Sequence, residues 1–458
     1  MAFLSPQRMG LIGSGVSGIH GLIFVRRVDW LLLMNITFHA DMTVTSEGDR
    51  LQFARFVKPL ATVLRAETTT TPLTVGVFGP WGSGKSSLLR LLQEELEKND
   101  PERFLFIPFN PWTHRREPNM LVPLLHAAYD ATTKKSDAFK ESAQKIFNVL
   151  TRLGADLLLK AVTVDAVDLE KLEELEESYV KSRQKVESEM RKLRQTLEEW
   201  AQEVYKSTQK GRRIVFVIDD LDRCEPTEIL DVLEAVKLFL DVPHMMVILA
   251  VDKEVIDRGI EVRYDKFPFA KERKAALGAE YLEKIVQLPV VLPPLGGAEI
   301  DGLLDALKVK EVMPEVAPLL GKLVPPNPRK IKRIVNLLAF TNAILEETPS
   351  LKGSIDKKLA ARLAVLQVQM APLYEEIARR PALLKALQKY ATTRLNLQQM
   401  AWDEFGTNKD SFKTICETHF ALSGGFLDRI FDGQPFKSIE GNPALISRYI
   451  NLTTPRPE

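Results

Sequence analysis

Short apolar runs are the clearest pattern in the first two thirds of the chain. The runs at 73–78, 214–218, 244–251 and 288–292 each predict a strand. Their nearly continuous apolar character is typical of parallel strands that are buried on both faces. Apolar residues within 227–240 recur at helical spacing and predict a helix that crosses back over the sheet. Strand, helix and strand in this order predict an α/β fold with a parallel sheet.

The predicted elements divide the chain into three parts. Residues 1–48 form a leader that we expect to be disordered or not translated, with a membrane-surface anchor as the alternative. Its apolar run is too short to span a bilayer. Residues 49–294 predict a three-layer α/β core that contains a helical insertion at 131–210. Residues 295–458 carry amphipathic patterns and predict an all-helical C-terminal domain.

One long, highly charged helix is predicted at 168–209, inside the insertion. Its apolar residues follow alternating steps of three and four, which is the heptad seam of a coiled coil. The seam residues are Leu169, Leu172, Tyr179, Val186, Met190, Leu193, Leu197, Trp200 and Val204. The seam either packs in a hairpin with a helix at 134–163 or forms an arm for self-association or an unknown protein partner. Its mixed charges are typical of a solvated face rather than of a nucleic-acid site.

A glycine-rich loop follows the first predicted strand and precedes a leucine-rich helix. Its sequence matches the pattern G-x-x-x-x-G-K-[ST] in the strand–loop–helix setting that the pattern requires. Glycines let successive backbone N–H groups surround phosphate oxygens, and the helix dipole adds to this attraction. We expect Lys85 to contact the β- and γ-phosphates and the Ser86 hydroxyl to bind Mg²⁺. The predicted nucleotide-binding residues are Gly79, Pro80, Trp81, Gly82, Ser83, Gly84, Lys85, Ser86 and Ser87.

Carboxylates follow two of the predicted strands. Asp219 and Asp220 end the strand at 214–218, where ligands bind in open α/β sheets. We predict that Asp219 holds Mg²⁺ and that Asp220 is the catalytic residue that orients or deprotonates the attacking water. Helix capping is the alternative for Asp220 and the favoured interpretation of Asp222. Asp252, after the next strand, is either a polar group near the γ-phosphate or a helix cap.

Six separated motifs resemble, in order, those of the KAP family of P-loop NTPases, which are relatives of the STAND and AAA+ ATPases. The motifs are GPWGSGKSSLL at 79–89, FNPW at 109–112, DDLDRC at 219–224, LAVDKEVI at 249–256, AEYLEKIVQLPVVLPP at 279–294 and NPRKIKRIVN at 327–336. The resemblance implies a P-loop ATPase that binds ATP and Mg²⁺ on a parallel sheet followed by a helical region. It also implies that an arginine of this region reaches the nucleotide phosphates. Arg329 is the catalytic candidate and Arg333 the second choice, with a solvated basic helix face as the alternative.

Three classes of function are compatible with these motifs. The first is Mg²⁺-dependent ATP hydrolysis that drives a conformational switch, possible roles being phage defence or signalling, which the family resemblance implies. The second is a nucleotide-gated scaffold with little turnover, and the third is a small-molecule kinase. ATP is preferred over GTP because no N-K-x-D string follows an apolar strand. Membrane-spanning members carry apolar helices between the phosphate loop and the Asp strand, whereas charged residues interrupt that segment here, so we predict no integral membrane span.

Composition narrows the range of partners and locations. The 458 residues include 62 basic and 61 acidic side chains, for a net charge of +1. This balance gives no general attraction to nucleic acid or anionic lipid, so a nucleic-acid partner is possible but unsupported. Two distant cysteines exclude a disulfide framework and predict a reducing, cytoplasmic location.

Overall fold

The computed structural model describes residues 38–40, 48–117, 120–135, 144, 188, 191–263, 280–348, 356–393, 409–422, 425–431 and 450. The chain divides into two compact units. The sheet unit comprises Asp41–Ala306 and Val324–Lys332, and the helical unit comprises Met1–Ala40, Leu307–Leu323 and Arg333–Glu458.

A parallel sheet of five strands forms the centre of the sheet unit. The strands are β1 (Leu73–Phe78), β2 (Phe104–Phe109), β3 (Arg213–Ile218), β4 (Met245–Val251) and β5 (Leu288–Val291). They lie in the order β2-β3-β4-β1-β5, and every neighbouring pair is parallel. All five carboxyl ends therefore meet at one edge of the sheet, as expected for an open α/β fold. The predicted parallel α/β architecture is confirmed.

Helices connect these strands and form the rest of the described chain. The sheet unit contains α1 (Ala54–Arg65), α2 (Lys85–Asn99), α3 (Leu121–Lys135), α4 (191–206), α5 (Pro226–Phe239), α6 (Lys253–Arg263), α7 (280–285) and α8 (Gly297–Ala306). The helical unit contains α9 (Val309–Val312), α10 (Ala317–Leu323), most of α11 (Pro328–Glu347), α12 (Lys357–Gln369), α13 (Ala371–Arg379), α14 (Leu383–Thr393), α15 (Lys409–Leu422) and α16 (Phe426–Phe431). Among the helices described, none is both long and apolar enough to cross a membrane.

Strand β2 was not predicted from the sequence pattern. Its apolar run contains Pro108, which has no backbone N–H to donate and argues against a strand in the middle of a sheet. In the structure β2 is an outermost strand of the sheet, and Pro108 is exposed. Proline is tolerated on an edge strand because one side of such a strand has no ladder partner.

Charged side chains bind the backbone at both ends of helix α1. The Asp49 carboxylate accepts a hydrogen bond from the backbone N–H of Phe53, with an N–O distance of 3.1 Å. At the other end, the Arg213 guanidinium donates to the carbonyls of Leu64 and Ala66, at 3.0 and 3.1 Å. These contacts satisfy backbone groups that a helix end leaves unpaired. They also hold the buried Phe53 ring beside the start of α2.

Helix α4 is the described part of the long charged helix predicted at 168–209. Its seam residues Leu193, Leu197, Trp200 and Val204 are at most 1% exposed and belong to the same buried cluster as residues of β2, β3 and β4. At these four positions the seam packs within the chain and offers no surface to a partner. The earlier seam positions, most of the 1–48 leader and, apart from residue 144, the predicted 134–163 helix after Lys135 lie outside the described residues.

Replacing Leu197 by alanine tests whether α4 is part of the core. We expect Leu197→Ala to lower the free energy of unfolding by about 2–5 kcal/mol, because a fully buried leucine leaves a cavity. Glu198→Ala removes a half-exposed partner of Arg194 on the same helix and serves as the control, with an expected change within about 0.5 kcal/mol. Thermal unfolding followed by circular dichroism measures both. Equal melting temperatures for the two variants would contradict this placement of α4.

Candidate functional site

The loop between β1 and α2 turns sharply at the carboxyl edge of the sheet. The backbone N–H of Ser83 donates to the carbonyl of Pro80, which closes the first turn. Gly82 and Gly84 have φ of +84° and +100°, in the left-handed region that favours glycine. A Cβ on Gly84 would also lie 2.5 Å from the Phe53 ring. Neither the backbone nor the space at Gly84 therefore admits a side chain.

The inside of this loop presents unsatisfied polar groups. Helix α2 begins at Lys85, directly after Gly84, which has no side chain with which to cap the helix. The first turn of such a helix carries backbone donors and the positive end of the dipole, which together attract an anion. The Ser83 hydroxyl is buried and has no hydrogen-bond partner among the described residues. The loop is therefore suited to a phosphate group.

The Lys85 ammonium lies beneath the loop and makes two contacts. Nζ donates to the Gly79 carbonyl oxygen and to Oδ2 of Asp222, both at 2.9 Å. The Lys85 and Asp222 side chains are only 6% and 8% exposed, so they form a buried ion pair. The prediction that Asp222 caps a helix is wrong. Helix α5 is capped by Glu225, whose side chain forms a reciprocal capping box with Glu228.

The two predicted magnesium ligands lie in contact with each other. Oδ1 of Asp219 accepts a hydrogen bond from the backbone N–H of Asp220 at 2.9 Å. Burial raises the pKa of Asp219, and the neighbouring Ser86 side chain and Asp220 N–H oppose that shift. Hydroxyl and carboxylate oxygens are the donors that Mg²⁺ prefers, with substrate phosphates and water completing the set. Within the described chain no group of three His, Cys, Asp or Glu side chains is arranged to hold a metal ion.

Asp220 is held by two side chains that the sequence argument did not include. Nδ2 of Asn110 donates to Oδ2 of Asp220 at 3.0 Å, and Nε of Arg223 lies 2.9 Å from Oδ1. The guanidinium of Arg223 also lies over the Trp112 ring, at 5.4 Å from its centroid. No side-chain cap is formed by Asp220, so the capping alternative is wrong for this residue too. The FNPW motif was the available signal, since Asn110 directly follows the unpredicted strand β2.

The start of α11 contacts the outside of the loop. Nδ2 of Asn327 donates to the Trp81 carbonyl at 2.8 Å, and Oδ1 of Asn327 accepts from the backbone N–H of Lys330. The Arg329 guanidinium lies 5.4 Å from the centroid of the Trp81 ring. The structure thus brings Arg329 to the loop. Arg333 is exposed and belongs to the helical unit.

The structure shows a capping contact for Asp252. Its Oδ1 accepts a hydrogen bond from the backbone N–H of Glu254 at 3.1 Å, in the first turn of α6. Asp252 also lines a largely apolar cavity of about 430 Å³ beside Gly79 and Pro80. Of the two interpretations of Asp252, the helix cap is the one observed.

A parallel sheet with a glycine loop after β1, a buried lysine beneath it and a Ser–Asp pair at the carboxyl edge defines the class of this protein: it is a P-loop NTPase. The chain belongs to the KAP family, because the model of the KAP family P-loop domain matches residues 53–345. The family resemblance of the six motifs is confirmed.

Two curated relatives share part of the chain. The Phage T7 exclusion protein of Escherichia coli (strain K12) is 23% identical over 264 residues, which cover 54% of this chain and 33% of that protein. Kinase D-interacting substrate of 220 kDa from Rattus norvegicus is 39% identical over 59 residues, or 13% of this chain and 3% of that protein. The chain therefore spans a third or less of the length of these relatives.

Solved structures of two archaeal proteins show a distant likeness. Cdc6p from Pyrobaculum aerophilum has a TM-score of 0.41 and 13% identity, with 90% of this chain and 97% of that chain covered. The ORC2 protein of Aeropyrum pernix has a TM-score of 0.35 and 10% identity, with 89% and 97% covered. Likeness at this level carries no argument about function.

The left-handed turn at Gly84 generates a binding prediction. We expect Gly84→Ala to weaken nucleotide binding at least about tenfold, because the new Cβ strains the backbone and displaces the Phe53 ring. Gly297→Ala is the matched control, since nothing lies within 4 Å of the added Cβ and φ is not positive there. Isothermal titration calorimetry measures both affinities. Affinity retained in both variants would show that the turn tolerates a side chain.

The cysteine that follows the Asp strand generates a reactivity prediction. Burial raises the pKa of Cys224 to about 12, with nearby carboxylates adding to the effect. The thiolate fraction at pH 8 is then about a thousandfold below that of an ordinary cysteine. In a Cys416→Ser variant, iodoacetamide should therefore label Cys224 slowly in the folded protein and rapidly in urea. Equal rates, measured by peptide mass spectrometry, would contradict this environment.

Proposed function

We propose that the protein binds and hydrolyses ATP with Mg²⁺ and that the nucleotide drives a conformational switch. The observation that carries the proposal is the convergence of Lys85 with the Ser86–Asp219 pair at one sheet edge, beside a loop suited to phosphate. The Lys85 ammonium would bind the β- and γ-phosphates. Ser86 and Asp219 would hold Mg²⁺, which neutralises charge on the phosphates when it is bound.

Asp220 is the residue proposed to orient or deprotonate the attacking water. A general base must have a lone pair within hydrogen-bond reach of the proton that it accepts. Oδ2 of Asp220 is bound by Asn110 and Oδ1 lies against Arg223, which leaves each oxygen a second lone pair for water. Asn110 and Arg223 therefore act as positioning residues that orient the Asp220 carboxylate.

Arg329 is proposed to respond to the nucleotide. Asn327 and Arg329 both contact Trp81 of the loop, and they stand at the start of α11. A γ-phosphate bound in the loop would attract the Arg329 guanidinium away from the Trp81 ring. Because most of α11 belongs to the helical unit, we propose that this exchange changes the population of helical-unit conformations.

A nucleotide-gated scaffold with little turnover is the second candidate function. It is favoured by the contacts of Asp220, because Asn110 and Arg223 each occupy a lone pair that an attacking water could otherwise use. A role in phage defence rests on the name of the Escherichia coli relative, and a role in signalling on the family. A cytoplasmic location belongs to the same proposal and rests on the two cysteines.

Phosphate release from ATP and Mg²⁺ tests the proposed hydrolysis. Lys85→Ala should abolish binding and turnover, because the phosphates lose their buried cation. Asp220→Asn should still bind ATP but turn it over at least about 100-fold more slowly, since the amide is a poor base. Glu254→Gln, at an exposed position on α6, is the control and should leave both unchanged.

The outcomes separate the two candidate functions. Turnover lost in Asp220→Asn with ATP binding retained supports hydrolysis. ATP binding with equal background turnover in the unmodified protein and in Asp220→Asn supports the scaffold. Absence of ATP binding by the unmodified protein would refute both.

A further inference from the structure

The loop lysine already has an anionic partner in the structure. Asp222 is bound to Lys85 at 2.9 Å, and neither the proposed hydrolysis nor helix capping uses its carboxylate. The pair is nearly inaccessible to water, with 6% and 8% of the two side chains exposed. A buried ion pair of this kind is costly to break, because the carboxylate left behind is uncompensated.

We propose that Asp222 competes with nucleotide phosphate for Lys85 and thereby makes nucleotide binding dependent on Mg²⁺. The inference rests on the proposed nucleotide binding and adds a regulatory residue to that site. The Lys85 ammonium has three N–H donors, and the Gly79 carbonyl and the Asp222 carboxylate accept from two of them. One donor remains for a ligand, so a nucleotide whose β- and γ-phosphates both bind Lys85 must take a second donor from one of these partners. Asp222 is the partner whose negative charge repels phosphate.

The other charges of the site determine which form of the nucleotide can displace Asp222 from Lys85. Asp219, Asp220 and Asp222 are three carboxylates in four residues, and the one arginine among their described contacts, Arg223, is paired with Asp220. Burial is the main cause that raises the pKa of Asp219, and the charges of Asp220 and Asp222 raise it further. The negative charge of Asp222 therefore acts at the predicted metal position as well as at Lys85.

Metal-free ATP and the magnesium complex of ATP differ in their electrostatic interaction with the Asp222 carboxylate. Metal-free ATP would take Lys85 and leave Asp222 unpaired beside added negative charge, which a site of low dielectric penalises strongly. The magnesium complex would bring a cation to Ser86 and Asp219, close enough to compensate Asp222 when the ammonium moves to the phosphates. Asp222 thus selects the metal-loaded substrate before any chemistry begins.

The test compares ATP affinity in EDTA with ATP affinity in Mg²⁺, by isothermal titration calorimetry. Asp222→Asn keeps the size of the side chain and removes its charge. It should tighten binding of metal-free ATP at least about tenfold and change binding of the magnesium complex by less than about threefold. The dissociation constant in EDTA, divided by the dissociation constant in Mg²⁺, should therefore fall.

Two further variants separate this role from a loss of charge or of folding. Asp220→Asn removes a neighbouring carboxylate, one that pairs with Arg223 and not with Lys85. It should therefore increase the affinity for metal-free ATP less than Asp222→Asn does. Asp222→Glu retains the charge and should keep metal-free ATP weakly bound. Melting temperatures in the absence of nucleotide show whether each variant is folded, and Asp222→Glu carries the test if Asp222→Asn is not.

Each outcome decides the inference. A tighter metal-free complex in Asp222→Asn, with the smaller effect in Asp220→Asn, supports it. An unchanged ratio in folded Asp222→Asn overturns it and leaves the proposed ATP binding intact, as does tight metal-free binding by Asp222→Glu. If the unmodified protein binds ATP in neither buffer, the proposed function fails and the inference fails with it.

Discussion

The turn from β1 into α2 is the constraint on which the rest of the site depends. Positive φ at Gly82 and Gly84 reverses the chain over a few residues and starts a helix at Lys85. The Lys85 side chain is thereby directed beneath the loop and not into solvent. In this buried position it pairs with Asp222. Phe53 occupies the space beside Gly84 and links the start of α1 to the same turn. A side chain at either glycine would disturb the loop, the lysine and this packing together.

The charged side chains of the site are held by other residues of the chain. Lys85 is paired with Asp222, Arg223 and Asn110 bind Asp220, and the Asp220 N–H donates to Asp219. Such pairing offsets part of the free energy that it costs to bury carboxylates and a lysine. In the function that we propose, the nucleotide exchanges some of these partners within the chain for its own groups. Selectivity for a ligand follows from which of these pairs it is able to replace.

Local patterns predicted four strands and the phosphate loop because both depend on neighbouring residues. Apolar runs identified β1, β3, β4 and β5, and the glycine pattern identified Lys85 and Ser86. Strand β2 was missed because Pro108 argues against a central strand, and the sequence does not show which strand lies at an edge. With β2 missed, Asn110 had no predicted place beside Asp220.

The sequence by itself determined the P-loop class of the protein, since a loop that binds phosphate requires particular residue types at fixed short spacing. Only the tertiary structure decided the partners of these residues. Asp222 pairs with a lysine 137 positions away, Asp220 with an asparagine 110 positions away, and Trp81 with an asparagine 246 positions away. Strand order and parallel register bring these distant residues together, and both depend on how the whole apolar core packs. Asp222 is therefore predicted to cap a helix from the sequence, whereas in the fold it pairs with Lys85.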